Sequence, residues 1–101
     1  MNSIYALYYF NCYSKFYPVS KNRNDIILKN FGAHLKKIRI QKNVTQETLA
    51  FDANIPISHV GRIERGEINP TLNTIYMLSV ALNITILQLM DFEIYYPKAQ
   101  N

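Results

Sequence analysis

Apolar residues recur at helical spacing through most of the chain, and the period breaks at short polar joints. Ile27, Phe31, Leu35 and Ile38 follow at steps of four, four and three, one stripe of a helix starting near Asp25, a residue suited to an N-cap, and running to about Lys42. Leu49, Ala50 and Ala53 form a second, shorter stripe behind Thr45, whose hydroxyl can accept from an orphan N–H. Asn54 tolerates a left-handed backbone and Pro56 resists continuation, so that helix stops there. From Ile57 the spacing resumes, with Val60 and Ile63 facing inward until Gly66 supplies a flexible stop. Two helices joined by so tight a turn make a helix-turn-helix. Past the loop EINP, Thr71 can cap a fourth helix with Leu72, Ile75, Leu78, Ser79 and Leu82 on one face and Asn83 at its end. Thr85 and Gln88 have capping-box spacing and announce a fifth, short helix containing Leu89 and Met90. The run FEIYY, from Phe92 to Tyr96, alternates as an extended segment would before Pro97.

The pattern predicts an all-α, compact five-helix bundle with a central helix-turn-helix over residues 25–94, preceded by residues 1–24 and followed by a tail, 95–101. The first 24 residues carry five tyrosines and two phenylalanines with no clean period, and then the polar run SKNRN. An aromatic N-terminal arm packed on the domain or on a sister subunit accounts for the aromatic content, a disordered tail for the missing period, and an extension without a role remains open. The arm is preferred, because so many exposed aromatics invite aggregation.

At 101 residues and 49% hydrophobic content, the chain can bury one modest core. The formal charge of +4 leans towards an anionic partner, but placement matters more than the total. Lys36, Lys37, Arg39 and Lys42 lie close together, and Arg62 and Arg65 flank Ile63 and Glu64. The single Cys12 excludes an internal disulfide and suits a reducing, cytoplasmic location. No apolar run approaches the roughly 20 residues of a membrane span, and the opening MNSIYALYYFNCY lacks the basic start of a signal peptide. His34 and His59 supply no metal-ligand set, and no metal, cofactor or small-molecule ligand is expected. There is no glycine-rich phosphate loop, no HExxH and no local nucleophile signature, so the chain reads as a non-enzyme.

The run TQETLA, followed by ISHVGRIERGEINPTLNTIYMLSVALNI, resembles the phage-repressor and Cro-like helix-turn-helix family, the xenobiotic response element family of bacterial regulators. The likeness covers about Ile26 to Met90. It implies a lambda-repressor-like domain that binds double-stranded operator DNA as a two-fold homodimer, placing the second motif helix in the major groove. By position the base-reading residues are Ile57, Ser58, His59 and Arg62. Arg62 can pair bidentately with guanine or hold a phosphate, and Ile57 can touch a thymine methyl. Gln46 matches the family's backbone-clamping glutamine at a helix N-terminus, and Asn69 and Thr71 are similar to residues that grip the backbone from the other side. Arg39 matches a position where an arginine pairs with the equivalent of Glu64 while keeping donors for phosphate, so a structural ion pair between Arg39 and Glu64 is expected.

The departures from that pattern are local. Pro56 stands where a capping Ser or Thr is common, and Thr48 where a Glu often completes a capping box. Gly61 sits inside the reading helix at about 1 kcal/mol relative to alanine, either for close approach to DNA or another helix or as tolerated drift. Met77, Val80 and Leu87 are apolar where the family is usually polar, which makes them candidates for a dimer seam with Phe92, Ile94 and Tyr95. Covering the domain's own core or the aromatic arm is an equally good account of them. A protein-interaction module of antitoxin type that keeps the fold without binding DNA is the alternative function.

Overall fold

A computed structural model of the chain describes residues 21–94, with side chains from residue 26 onwards. Five helices follow in order: α1 (Lys21–Gln41), α2 (Gln46–Ala53), α3 (Ile57–Glu64), α4 (Leu72–Ala81) and α5 (Ile86–Leu89). No strand forms among the described residues. The aromatic arm lies outside them, apart from its last few positions in α1, and so does Tyr95. Helix α1 begins a turn upstream of Asp25, so that aspartate is inside the helix and not its cap.

Each later helix starts as its residues dictate. The Thr45 and Thr71 hydroxyls accept from the N–H of Thr48 and Thr74, and Thr85 and Gln88 close a reciprocal capping box. Pro56 opens α3 with φ at −62° and no side-chain cap.

The helix ends share one device. Asn43, Asn54 and Asn83 each adopt φ of 58°, and Gly66 adopts 72°. At each, two N–H groups turn back onto the helix they close, as in Lys42–Val44, where Asn43 N reaches Ile40 O at 3.0 Å and Val44 N reaches Arg39 O at 3.1 Å. The same paired bonds recur after Asn54, Gly66 and Asn83, which defines four Schellman ends. The residue just beyond is apolar and packs on the core at three of them, Val44, Ile55 and Ile84. At the end of α3 it is Glu67.

Each helix contributes to the core: Phe31 and Leu35 from α1, Leu49, Ala50 and Ala53 from α2, Val60 and Ile63 from α3, Leu78 from α4 with Leu82 just past its end, and Leu89 from α5. Two positions read onto the inner face turn outward. Ile27 is 40% exposed and Leu72 75%: Leu72 is the first residue of α4, and Ile27 lies one turn of α1 ahead of the first core residue, Phe31. Phe92 folds back instead of extending, its ring 6.0 Å from that of Phe31 and 5.4 Å from that of His34. His34 Nε2 also lies 3.1 Å from the Gln88 carbonyl oxygen, so this histidine bridges α1 to α5 at the domain boundary.

Gly32 is where α1 crosses α3. A Cβ there would collide with the carbonyl oxygens of Ile63 and Glu64, so only glycine lets α1 lie this close to the last turn of α3.

Candidate nucleic-acid interface

Helix α3 is two-sided in a way set by its sequence. Val60 and Ile63 are buried, while Ser58, His59, Arg62 and Arg65 are exposed, and Ile57, one turn ahead of Val60, is open at the leading end of the helix. Ile57 is 49% exposed, an apolar side chain left at the leading turn of the helix beside two hydrogen-bonding residues. The four residues singled out as base readers are therefore all exposed, three of them away from the buried face and Ile57 at the open first turn.

Glu64 anchors that helix from within. Its side chain is 3% exposed and meets Arg39 in a fork, with Arg39 Nε donating to Oε2 at 2.5 Å and Nη2 donating to Oε1 at 3.1 Å. Arg39 Nη1 also donates to the Val44 carbonyl at 2.9 Å, so the guanidinium ties α1, the joint before α2, and α3 together. Bidentate geometry and an added backbone acceptor are what a nearly buried charge needs to offset its desolvation.

Sequence reasoning missed the third member of this cluster. Gln46 Nε2 donates to the same Glu64 Oε1 at 2.9 Å, so the side chain assigned to the phosphate backbone is held in place by the carboxylate beneath it. One amide hydrogen of Gln46 stays uncommitted by that bond. Gly61 lies under the same assembly. A Cβ there would stand 3.0 Å from Arg65 Nη1 and 3.7 Å from Gln46 Oε1, so its missing side chain makes room for an arginine and an amide of this protein.

A second charged group closes the far end of α3. Arg65 donates from Nε and Nη2 to the two oxygens of Glu67, at 2.7 and 3.3 Å, and Arg62 Nε lies 3.8 Å from Glu67 Oε1. The hydrogen bond from Arg65, and then its charge, hold the Glu67 carboxyl below the usual carboxylate range; the same bond raises Arg65. The run ERGE was the signal: a Schellman turn at glycine brings residues on either side of it together.

The remaining assigned residues sit apart from this cluster. Asn69 is exposed in the loop after α3. The Thr71 hydroxyl accepts from Thr74 N at 3.1 Å and donates to Thr74 Oγ1 at 3.0 Å, so its side chain is occupied in capping α4. Of the seam candidates, Val80 and Leu87 are 53% and 82% exposed, whereas Met77 and Phe92 are half-buried against the core and Ile94 is half-buried. Among the described residues, no group of His, Cys, Asp and Glu could hold a metal ion and no helix is long and apolar enough to cross a membrane.

A short helix with an open polar face, pinned to a preceding helix through a tight αL turn, defines a helix-turn-helix domain. The chain belongs to that family: residues 35–89 match the family described as Helix-turn-helix. The control protein C.BamHI of Bacillus amyloliquefaciens is 38% identical over 63 residues, covering 61% of this chain and 78% of that protein. The restriction-modification controller C.AhdI of Aeromonas hydrophila superimposes with a TM-score of 0.61 at 42% identity, over 61% of this chain and 94% of its own. The controller C.Esp1396I, solved as a tetramer with its natural 35 base-pair operator, gives 0.60 at 28% identity, over 63% of this chain and 84% of its own.

Proposed function

We propose that the protein is a transcriptional regulator that binds a roughly palindromic operator as a homodimer, reading bases in the major groove with α3. The observation that carries this is the open face of α3, with Ser58, His59 and Arg62 on it and Ile57 exposed at its leading end, on a helix whose other face is buried and whose end is braced through Glu64. The family membership and the likeness to controller proteins support it. Gln46 at the start of α2 and Arg39 in the last turn of α1 serve the phosphate backbone, and Asn69 and the N–H of Thr71 serve it from the loop past α3. It acts in the cytoplasm and without catalysis.

The dimer seam we assign to α4 and α5. From Ile68 to Met90 the sequence holds no Asp, Glu, Lys, Arg or His. Leu72, Tyr76 and Val80, at steps of four, leave an apolar stripe exposed along α4, and Leu87 continues the apolar surface on α5. A two-fold contact sets a surface against its own copy, so a face without charge avoids placing like against like. Two reading helices would then stand about 34 Å apart on one side of the duplex.

Selection from a pool of random duplexes, followed by titration of the selected sequence, tests the reading. Specific, salt-sensitive binding is expected. Its absence at every concentration would favour the alternative, an interaction module that keeps the fold. Arg62→Ala should lower discrimination at one base position by about 1–3 kcal/mol, while Gln46→Ala should weaken all duplexes alike. Identical profiles for the two variants would contradict the division of roles.

A further inference from the structure

The end of α3 differs from the other three Schellman ends in one respect. Where Val44, Ile55 and Ile84 send an apolar side chain into the core, Glu67 sends a carboxylate back over the reading helix. Its position is fixed rather than incidental, because Glu67 N–H donates to the Arg62 carbonyl at 2.8 Å and Gly66, at φ 72°, turns the chain to allow it. A Cβ on Gly66 would also strike the backbone of Lys29, so the turn is held from below by α1. The carboxylate ends up between Arg62 of α3 and Arg65 just past its end, bidentate to Arg65 and 3.8 Å from Arg62.

We propose that Glu67 is a specificity-determining residue of the DNA-binding surface: it holds both arginines in the free protein, so that a duplex must take them from an internal carboxylate. The proposal rests on the reading of α3 as a DNA-binding helix. Arg62, Arg65 and Glu67 side chains are 50%, 59% and 47% exposed, so the cluster adds little to stability and opens readily. Phosphate is the competitor that can open it, being a bidentate acceptor for the same fork.

Matched and unmatched duplexes compete on different terms. An unmatched duplex offers phosphates alone, so binding it requires pulling both arginines onto the backbone and leaves Glu67 facing like charge. At a matched site Arg62 turns to a base edge and Arg65 keeps Glu67 as its partner. The carboxylate thus suppresses unmatched binding more than matched binding, and widens the ratio between them.

Glu67→Gln removes the charge and keeps the shape of an exposed turn residue. Wild type and variant are titrated against a random-sequence duplex and against a duplex selected by the wild type, over a range of salt. Glu67→Gln should tighten random-duplex binding about fivefold to tenfold and the selected duplex about twofold or less, and steepen the random-duplex salt slope by about 1, one further phosphate contact. In an Arg65→Ala background the same change should lose most of its effect. Equal affinities of wild type and Glu67→Gln on both duplexes, or an undiminished effect without Arg65, would overturn the role of Glu67. Failure of the wild type to select any duplex would instead overturn the DNA-binding reading itself.

Discussion

At the scale of single residues, Glu64 decides how much of the interface is rigid. It is a nearly buried carboxylate on α3 with three hydrogen-bond contacts, two from Arg39 of α1 and one from Gln46 of α2. Removing Arg39 leaves that charge facing only an amide, whereas removing Gln46 leaves the ion pair intact. Arg39→Ala should therefore lower unfolding free energy by about 3–5 kcal/mol in urea titrations. The loss for Gln46→Ala should be nearer 1 kcal/mol. A loss below about 1 kcal/mol for Arg39→Ala would mean that water, and not Arg39, satisfies Glu64. The ion pair could be anticipated from resemblance, since Arg39 and Glu64 occupy matching positions; the amide of Gln46 could not, because no spacing reports on a contact between separate helices.

At the scale of elements, helix starts and stops were legible and helix faces less so. Thr45, Thr71 and Thr85 act on N–H groups three residues away, and Asn54, Asn83 and Gly66 act on their own backbone, so local sequence carries those boundaries. Burial is a property of neighbours, and the outward turn of Ile27 and Leu72 depends on helices distant in sequence. The beginning of α1 failed for a related reason: Asp25 is a good cap, but a helix can run through it when residues upstream continue the turn.

The two glycines of the α3 region separate interior from terminus. Gly61 is interior, and the nearest obstacle to a side chain is the far end of the Arg65 side chain. Gly66 is terminal, at φ 72° and against the Lys29 backbone. Gly61→Ala should hold or raise stability, by up to about 1 kcal/mol from helix propensity. Gly66→Ala should lower it by about 2 kcal/mol or more through left-handed strain and collision. Thermal melts of the two variants check the contrast, and a fall for Gly61→Ala as large as that for Gly66→Ala would show that Arg65 cannot give way.

At the scale of the whole molecule, charge is segregated along the chain. The cations and anions of the described domain lie almost wholly before Ile68, on α1, α2, α3 and the turn after α3, and the next twenty-odd residues hold none. The polar half faces the duplex in the proposed complex and the apolar half faces a second copy. Val80→Asp places a charge at the C-terminal end of the exposed α4 stripe without touching the core. It should turn a dimer in sedimentation into a monomer with an unchanged helical spectrum, and persistence of the dimer would move the seam elsewhere.

That uncharged stripe along α4 also bears on dose. A single copy presents it to water and holds one α3; in the proposed dimer two copies cover it and hold two. Below the dimer dissociation constant, the amount of paired protein grows with the square of the amount made. Doubling synthesis then raises the binding-competent form about fourfold, by mass action alone. In the proposed complex, the stripe makes the cell's count of this protein, and not only its presence, the quantity that the operator senses.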